Sequence, residues 1–211
     1  MSHFDALNSI LGADRLLSQR GRDRLEEFVA LVQKWNPAIN IIGKSTEPQI
    51  WHRHVLDSAQ LFSLARPDQR LWLDIGSGGG FPGLVLAILA ADGMPALRFI
   101  LVESDRRKAV FLSEAARNLG LAVTVHPKRI EDLPPAEADV VSARALAPLS
   151  QLCAHAERHL KMGGLCVFPK GEAAEAEIGA ARQGWSFGLD RLPSQTDSRA
   201  AVLVLKDLRR V

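Results

Sequence analysis

The chain has 211 residues, which is enough for one α/β domain with a buried core and a small appendage. Hydrophobic residues make up 47% of the chain and charged residues 24%, so the composition is that of an ordinary globular protein. The formal net charge of +2 permits a nucleic-acid partner but does not require one, because a dedicated nucleic-acid-binding protein is usually more basic.

Residues up to about Ala65 are predicted to be helical. In the first long helix, apolar residues recur at the three-and-four spacing of a helix face: Leu25, Phe28, Leu31, Val32 and Trp35. Trp35-Asn36-Pro37 is predicted to end this helix, since a residue before proline avoids the α region. A second helix is predicted from about Glu47 to Leu64.

From Leu71 onward the pattern changes to alternating strands and helices. The predicted strands are Leu71–Ile75, Arg98–Val102, Ala122–His126, Ala138–Ala143 and Leu165–Phe168. The predicted helices are Asp105–Leu119, Pro148 to about Lys161, and about Glu172 to Gln183. Two last strands, Trp185–Leu189 and Ala201–Lys206, are expected to form an antiparallel pair at one edge of the sheet.

This alternation predicts a doubly wound, Rossmann-like α/β fold whose sheet is mostly parallel and has an antiparallel strand at one edge. We expect residues 1–65 to form an N-terminal helical segment packed on the core, and residues 66–211 to form the ligand-binding domain. In such sheets the ligand lies at the carboxyl ends of the strands, so the loops after these ends are the candidate binding loops.

The loop after the first predicted strand is rich in glycine, with the sequence Asp74-Ile75-Gly76-Ser77-Gly78-Gly79-Gly80-Phe81-Pro82-Gly83. Glycine allows positive φ angles and close approach of a ligand, so a nucleotide-like ligand is expected. Residues Gly78–Gly83 also satisfy the G-x-G-x-x-G pattern of dinucleotide binding, but they start two residues after the turn begins. Asp74 suits the positively charged amino-acid end of S-adenosylmethionine (SAM), whereas it would repel a pyrophosphate. The loop therefore favours SAM over NAD, with Gly76 and Gly78 as cofactor contacts, and predicts the fold of a class I SAM-dependent methyltransferase.

Three further strand ends carry candidate residues. Glu103 ends the second strand, where an acid usually holds ribose hydroxyls. The turn Lys128–Asp132 offers a carboxylate and a backbone N–H that could form hydrogen bonds with the exocyclic amine and a ring nitrogen of adenine. The alternative is an ordinary polar loop. Arg144 follows the fourth strand, beside the expected methyl donor. Its planar guanidinium group suits a phosphate, a carboxylate or a guanine edge. The alternative is that Arg144 makes a surface salt bridge. Lys170, after the fifth strand, either contacts an RNA phosphate or is simply solvated.

His54 and Asp57 are three residues apart in the second predicted helix, so they lie on one face. The pair is either a general base or a polar bridge that packs the helical segment onto the sheet. Basic clusters also occur along the chain, and each is either a solvated face or part of a path for a phosphate backbone: Arg20–Arg24, Arg106–Lys108, Lys128-Arg129 and Arg209-Arg210.

Neither cysteine has the spacing of a metal site or a redox motif, so two buried thiols are expected at Cys153 and Cys166, and no metal. The N-terminus lacks the basic-then-apolar pattern of a signal peptide. The longest apolar run, Leu84 to Ala91, is too short to cross a bilayer. A soluble cytoplasmic protein without a membrane partner is therefore expected.

Taken in order, the motifs resemble those of the RsmG (GidB) family, from about Lys34 to Glu172. The matching segments are Trp35-Asn36, Asn40-Ile41, Arg53–Ser58, Asp74–Gly83, Ser142–Ala145 and Lys170-Gly171. The continuation Phe81-Pro82-Gly83 is more specific than the glycine loop itself. Members of this family are bacterial methyltransferases that transfer a methyl group from SAM to guanine N7 in 16S ribosomal RNA.

The resemblance implies the same reaction for this chain, with S-adenosylhomocysteine (SAH) as product. It places cofactor contacts at Gly76, Phe81, Ile130, Glu131 and Arg144. The expected partner is 16S ribosomal RNA, within the small subunit or an assembly intermediate, and nothing in the sequence requires more than a monomer. The alternatives are a SAM-dependent methyltransferase of a small molecule or protein, and a noncatalytic nucleotide-binding module.

Overall fold

The computed structural model describes residues 2–211, apart from the side chain of Asp14; Met1, where the predicted helical segment begins, lies outside this range. Within these residues, seven strands form one sheet in the order β3-β2-β1-β4-β5-β7-β6. Their bounds are β1 Leu71–Ile75, β2 Arg98–Val102, β3 Val123–His126, β4 Ala138–Ser142, β5 Leu160–Lys170, β6 Trp185–Pro193 and β7 Ala201–Arg210. Neighbouring strands from β3 to β5 are parallel, whereas β7 runs antiparallel to both β5 and β6. The expected mixed sheet with antiparallel pairing at one edge is confirmed.

The α-helices are α1 His3–Leu11, α2 Gln19–Ile39, α3 Asp57–Ala59, α4 Gly83–Gly93, α5 Arg106–Asn118, α6 Leu149–His159 and α7 Ala174–Ala181. The second predicted helix is a run of turns with changing pitch. It starts as a 3₁₀ turn at Glu47–Gln49, widens to a π-helix at Trp51–Leu56, and ends as α3 and a 3₁₀ turn at Gln60–Leu64. A π-helical turn is rare and often occurs at functional sites.

Helix α2 does not end before Pro37, as the sequence suggested, but runs through it to Ile39. Proline has no N–H to donate to the carbonyl four residues earlier, but only two helical residues follow it. The N–H of Asn40 still donates to the carbonyl of Asn36, at 2.9 Å, and Asn40 then ends the helix in the left-handed conformation. The Asn36 side chain also accepts a hydrogen bond from the N–H of Ile42. The prediction was therefore wrong about the helix end.

The central strands β1 and β4 are buried on both faces, and alternate residues enter two separate apolar layers. Trp72 of β1 packs with α4, α5 and the N-terminal helices, whereas Leu73 and Ile75 pack with α6 and α7. The free thiols of Cys153 and Cys166 lie buried in the second layer, as predicted. The sheet is thus covered by helices on both sides, which leaves its ends as the places for a ligand.

Helix α4 is apolar on all sides, and every residue from Gly83 to Ala90 is buried. A helix of this kind must be covered all round, and here the sheet lies on one side and residues of α2 lie in the same apolar cluster. None of the helices within residues 2–211 is long and apolar enough to cross a membrane. The N-terminal helices therefore share a core with the sheet, and the domain boundary near residue 65 stays a prediction.

Candidate active site

The loop after β1 has the backbone shape that its glycines predict. Gly76, Gly78 and Gly80 have φ angles of 65°, 54° and 86°, in the region that favours glycine. The N–H groups of Gly76 and Ser77 both donate to the carbonyl of Val102, at 2.9 and 3.1 Å. The loop is thus fastened to the end of β2, and its turn begins at Gly76 as expected.

Asp74 does not face the cofactor side of this loop. Its side chain is fully buried: one carboxylate oxygen accepts a hydrogen bond from Ser142 Oγ at 2.6 Å, and the other accepts one from the Gly83 N–H at 3.2 Å. The Trp72 indole N–H donates to the same serine oxygen. Burial raises the pKa of Asp74 to about 6, against the lowering effect of these hydrogen bonds. The expectation that Asp74 holds the amino group of SAM was wrong, because this carboxylate instead ties β1 to β4 and to the start of α4.

Glu103 also fastens backbone. Its two carboxylate oxygens accept hydrogen bonds from the N–H groups of Gly78 and Asp105, both at 2.8 Å, and the residue is 8% exposed. It holds the glycine loop against the start of α5. Its contact with a ribose stays a prediction.

A cavity of about 140 Å³ lies at the carboxyl ends of β1 and β2. It brings together three of the predicted cofactor residues, Gly76, Ile130 and Glu131, and Leu146 and Val102 add apolar walls. Polar groups of Ser104, Glu131 and Gln151 line the cavity beside these walls, and such a mixture suits a small organic ligand with polar edges. A side chain at Gly78 would meet nothing closer than the Gly76 carbonyl oxygen at 3.8 Å, so the loop is open to a ligand at this point. These residues therefore fit a nucleoside such as that of SAM.

A second and larger cavity, of about 640 Å³, opens at the ends of β4 and β5. Its polar lining comes from residues far apart in the sequence, including Thr46, His54, Asp57, Arg144, Lys170 and Thr196. Leu146 and Ala147 line both cavities. The segment Arg144–Pro148, called here the dividing segment, thus separates the small cavity from the large one.

Arg144 is the centre of the polar network in the larger cavity. Its Nη1 donates to Asp57 Oδ2 at 2.9 Å and to the Arg53 carbonyl at 3.1 Å, and its Nη2 lies 2.9 Å from His54 Nδ1. The guanidinium carbon lies 5.6 Å from the centre of the Phe81 ring. The side chain is only 18% exposed, so the salt bridge with Asp57 is shielded from water. Arg144 is thus held in one orientation by the helical segment.

The contacts of His54 fix its protonation state. A guanidinium can only donate, so Nδ1 accepts from Arg144 and the ring proton lies on Nε2, which donates to Thr46 Oγ1 at 2.9 Å. Burial, and secondly the charge of Arg144, lower the pKa of His54 to about 4. The ring is therefore neutral near pH 7 and has no free lone pair. Of the two interpretations of the His54–Asp57 pair, the geometry supports the polar bridge.

Three residues of this network were not found from the sequence: Thr46, Gln60 and Thr196. Asp57 Oδ1 accepts hydrogen bonds from Thr196 Oγ1 at 2.8 Å and from Gln60 Nε2 at 3.0 Å. Gln60 in turn accepts from the N–H of Gln195. Single polar residues in separate loops carry no pattern, so only the fold reveals that they meet.

Comparison with known proteins decides the family. The family model described as "GidB: rRNA small subunit methyltransferase G" matches residues 22–197. This chain belongs to that family. It is 56% identical over 195 residues to "Ribosomal RNA small subunit methyltransferase G" of Cereibacter sphaeroides, covering 92% of this chain and 95% of the relative. The protein of the same name from Ruegeria pomeroyi is 48% identical over the same shares of the two chains.

Solved structures agree on the fold. A SAM-dependent methyltransferase from Aquifex aeolicus superimposes with a TM-score of 0.59 at 16% identity, covering 77% of this chain and 94% of that one. The cofactor-bound Rv0187 from MTB gives a TM-score of 0.57 at 17% identity, over 87% and 89% of the two chains. M. jannaschii TYW2, solved in complex with AdoMet, gives 0.56 at 14% identity, over 75% and 76%. The Rossmann-like methyltransferase fold is therefore confirmed.

The remaining residues that the family resemblance suggested lie outside the smaller cavity. The Phe81 ring is buried between Phe28 and His54, with ring centres 5.1 and 5.0 Å apart, so it supports the Arg144 network. Arg144 itself faces the larger cavity. Direct contacts of Phe81 and Arg144 with the cofactor stay predictions.

Lys170 is not a free cation. Its Nζ donates to Glu177 Oε2 and to the Ala147 carbonyl, both at 2.7 Å, and its side chain is only 9% exposed. Its charge is thus already paired. The alternative that Lys170 is simply solvated disagrees with this geometry, whereas its contact with an RNA phosphate stays a prediction.

Proposed function

We propose that this chain transfers the methyl group of SAM to N7 of a guanine in 16S ribosomal RNA. Membership of the rRNA small subunit methyltransferase G family, over residues 22–197, is the observation that carries this proposal. The relatives that carry this name are matched along nearly their whole length. A 16S ribosomal RNA substrate implies that the protein acts in the bacterial cytoplasm, on the small subunit or an assembly intermediate. We propose that the chain acts as a monomer.

The arrangement of the two cavities supports a transfer between a small and a large ligand. Gly76, Ile130 and Glu131 would hold the nucleoside of the cofactor in the cavity of about 140 Å³. The polar cavity of about 640 Å³ would take the nucleotide that is modified. Since both meet at Leu146 and Ala147, a methyl group would pass from one to the other beside the dividing segment.

The chemistry of guanine N7 agrees with the state of His54. SAM supplies an electrophilic methyl group: the N7 lone pair forms the new N–C bond as the S–C bond breaks, and the positive charge passes to the purine. No proton has to be removed from N7, so the reaction needs no general base. A neutral His54 with both ring nitrogens in hydrogen bonds suits this requirement. Positioning of the two reactants is then the main source of rate acceleration.

Arg144 is the residue best placed to hold the nucleotide. A guanidinium has five N–H donors, and those of Arg144 make three hydrogen bonds among the described residues. The two remaining donors suit the O6 atom of guanine or a phosphate oxygen. Asp57 balances the charge of Arg144, which matters because the purine becomes a cation in the reaction.

The test is transfer of labelled methyl from SAM to small ribosomal subunits, and to deproteinised 16S RNA, from cells that lack the encoding gene. Mass mapping of the modified nucleotides then gives the position. We expect one 7-methylguanosine in 16S RNA, and calorimetric binding of SAH but not NAD. Binding of SAH without transfer to either RNA substrate would instead favour a small-molecule or protein acceptor. Binding of NAD alone would favour the nucleotide-binding module.

A further inference from the structure

The dividing segment is fastened by an ion pair in the wall of the larger cavity, and the proposed chemistry does not use this pair. Glu177 Oε2 accepts hydrogen bonds from Lys170 Nζ and from the Leu149 N–H, each at 2.7 Å. Lys170 Nζ also donates to the Ala147 carbonyl at 2.7 Å. One carboxylate and one ammonium group thus hold the backbone on both sides of Pro148.

The segment needs such support because its backbone is strained. Ala145 has a φ angle of 52°, a left-handed conformation that is uncommon for residues other than glycine. Next to it, Leu146 reaches over the glycine loop, where a Cβ on Gly76 would lie 2.6 Å from its Cδ1 atom. Leu146 is nevertheless 43% exposed, so burial alone does not fix it. A fixed position therefore depends on the anchors at the two ends of the segment.

The two anchors are Arg144 at the start and the Lys170–Glu177 pair at the end. The lysine and glutamate side chains are 9% and 25% exposed, so their attraction is less screened than that of a surface pair. Glu177 lies on α7 and Lys170 at the end of β5, so the pair links the segment to two elements of the second layer.

We propose that Lys170 and Glu177 are positioning residues for methyl transfer, which hold Leu146 and Ala147 at the boundary of the two cavities. This inference rests on the proposed function. Both side chains line the larger cavity, but their charges are paired with each other, and the pair acts through the backbone of the dividing segment. Loss of the pair lets the segment move into one of the cavities, so both cofactor affinity and turnover fall, whereas the affinity for RNA phosphates does not change.

Two variants test this inference. Glu177→Gln keeps an acceptor for the Leu149 N–H but removes the charge, and Lys170→Met removes both donors. Calorimetry with SAH, in the absence of RNA, and hydrogen exchange of the Leu149 amide report on the segment without any turnover. We expect SAH to bind about tenfold more weakly, the amide of Leu149 to exchange faster, and kcat to fall about tenfold with an unchanged KM for RNA.

Glu175→Gln is the matched control. Glu175 lies on the same helix and pairs with Arg191 at 3.1 Å, but 77% of its side chain is exposed. Removing this pair should change none of the three measurements. Lys170→Arg, which keeps the charge and hydrogen-bond donors, should restore most of the SAH affinity that Lys170→Met loses. This rescue also keeps the test valid if the methionine variant folds poorly.

A direct phosphate contact by Lys170 would give the opposite results. Lys170→Met would then raise the KM for RNA and lower the slope of log affinity against log salt by about 1, with SAH binding unchanged. Glu177→Gln would free the lysine and tighten RNA binding. Either result would overturn the inference. If the unmodified protein bound no SAH, the proposed function would fail instead, and the amide exchange at Leu149 would still test the anchor.

Discussion

At the ends of β1 and β2 the ligand site is shaped by backbone, whereas at the ends of β4 and β5 it is shaped by side chains. The smaller cavity depends on the glycine loop, which Val102 and Glu103 fasten. The larger cavity depends on Arg144 and its partners from the helical segment. The residues of the smaller cavity lie between Gly76 and His155, whereas those of the larger cavity come from both ends of the chain.

This difference determines how each side is expected to fail. A backbone-shaped site is damaged when atoms are added, because a Cβ fills space that the ligand or a neighbouring residue needs. A side-chain network is damaged when one charged partner is removed, because the remaining groups lose their orientation. The substitutions below test this contrast.

Removal of the Arg144 side chain should have the largest effect. Arg144→Ala leaves Asp57 without its cation and removes the donors that face the larger cavity. We expect kcat to fall about 100-fold, as for a reactant misplaced by about 1 Å. The unfolding temperature should also fall, because Asp57 loses a cation that is shielded from water. Steady-state kinetics with small subunits measures the effect on the acceptor side. Calorimetry with SAH measures the effect on the cofactor side.

The matched variant is Arg144→Lys, which keeps the charge but not the planar fork. It should recover little activity, because one ammonium group cannot serve Asp57, His54 and the nucleotide together. Turnover at the level of the unmodified protein in Arg144→Ala would remove this residue from the site. A loss of SAH affinity as large as the loss in kcat would show that the two cavities are not separate.

Addition of one carbon at Gly76 should affect the cofactor side. In Gly76→Ala the residue must keep a φ angle of 65°, which costs roughly 1–2 kcal/mol for a residue with a Cβ. The new atom would also lie 2.6 Å from Leu146. We expect SAH affinity to fall about tenfold or more, as measured by calorimetry.

Gly93→Ala is the control for Gly76→Ala. A Cβ on Gly93, at the end of α4, would meet nothing within 4 Å, so SAH affinity should not change. Equal affinity of the Gly76 variant and the unmodified protein would show that the glycine is required for neither the loop nor the ligand.

Ser142→Ala should lower stability rather than binding. It removes the hydroxyl that donates to Asp74 and accepts from Trp72, and all three side chains are buried. The cost is about 1–3 kcal/mol in the free energy of unfolding, measured with denaturant. Ser113→Ala is the control, because the Ser113 hydroxyl only donates to the Ala109 carbonyl within α5.

The effect of Ser142→Ala should depend on pH. In the folded protein the pKa of Asp74 is about 6, above its ordinary value of 3.8, so the folded state binds more protons between these values. The stability that protonated Asp74 contributes is therefore lost as pH rises from 3.8 to about 6. The alanine variant loses a hydrogen bond that favours the charged form, so it should be destabilised more near pH 7 than near pH 4. Equal destabilisation at both pH values would contradict the assignment of Asp74.

The sequence predicted the cofactor side better than the acceptor side, for a physical reason. Local patterns indicate the strands, the turn at Gly76 and the loop at Ile130 and Glu131, because these depend on neighbouring residues. The contact of Asp57 with Thr196 joins residues from opposite ends of the chain, and no spacing reveals it. Arg144 was found because it follows a strand end.

Some errors arose because the sequence does not show which way a side chain points. Asp74 lies in the predicted loop, but its carboxylate is buried against Ser142 and the start of α4. Lys170 follows the predicted strand, but its partner Glu177 lies on the next helix. The start of β5 was placed at Leu165 instead of Leu160, since Gly163-Gly164 suggested a break that strand pairing with Ala138 overcomes.

The smallest expected effect concerns His54, whose role is to bridge and not to transfer protons. Its pKa in the folded protein is about 4, below the ordinary 6.5, so the unfolded state binds more protons between these values. Its contribution to stability is present above pH 6.5 and is lost as pH falls towards 4. His54→Asn keeps an acceptor for Arg144 without this titration, so its stability relative to the unmodified protein should rise as the solution is acidified. The activity of the unmodified protein should show no ionisation of His54 between pH 6 and 8, so the two proteins should have pH profiles of the same shape. A pH–rate profile that loses a pKa near ~6.5 in the asparagine variant would instead identify His54 as a base.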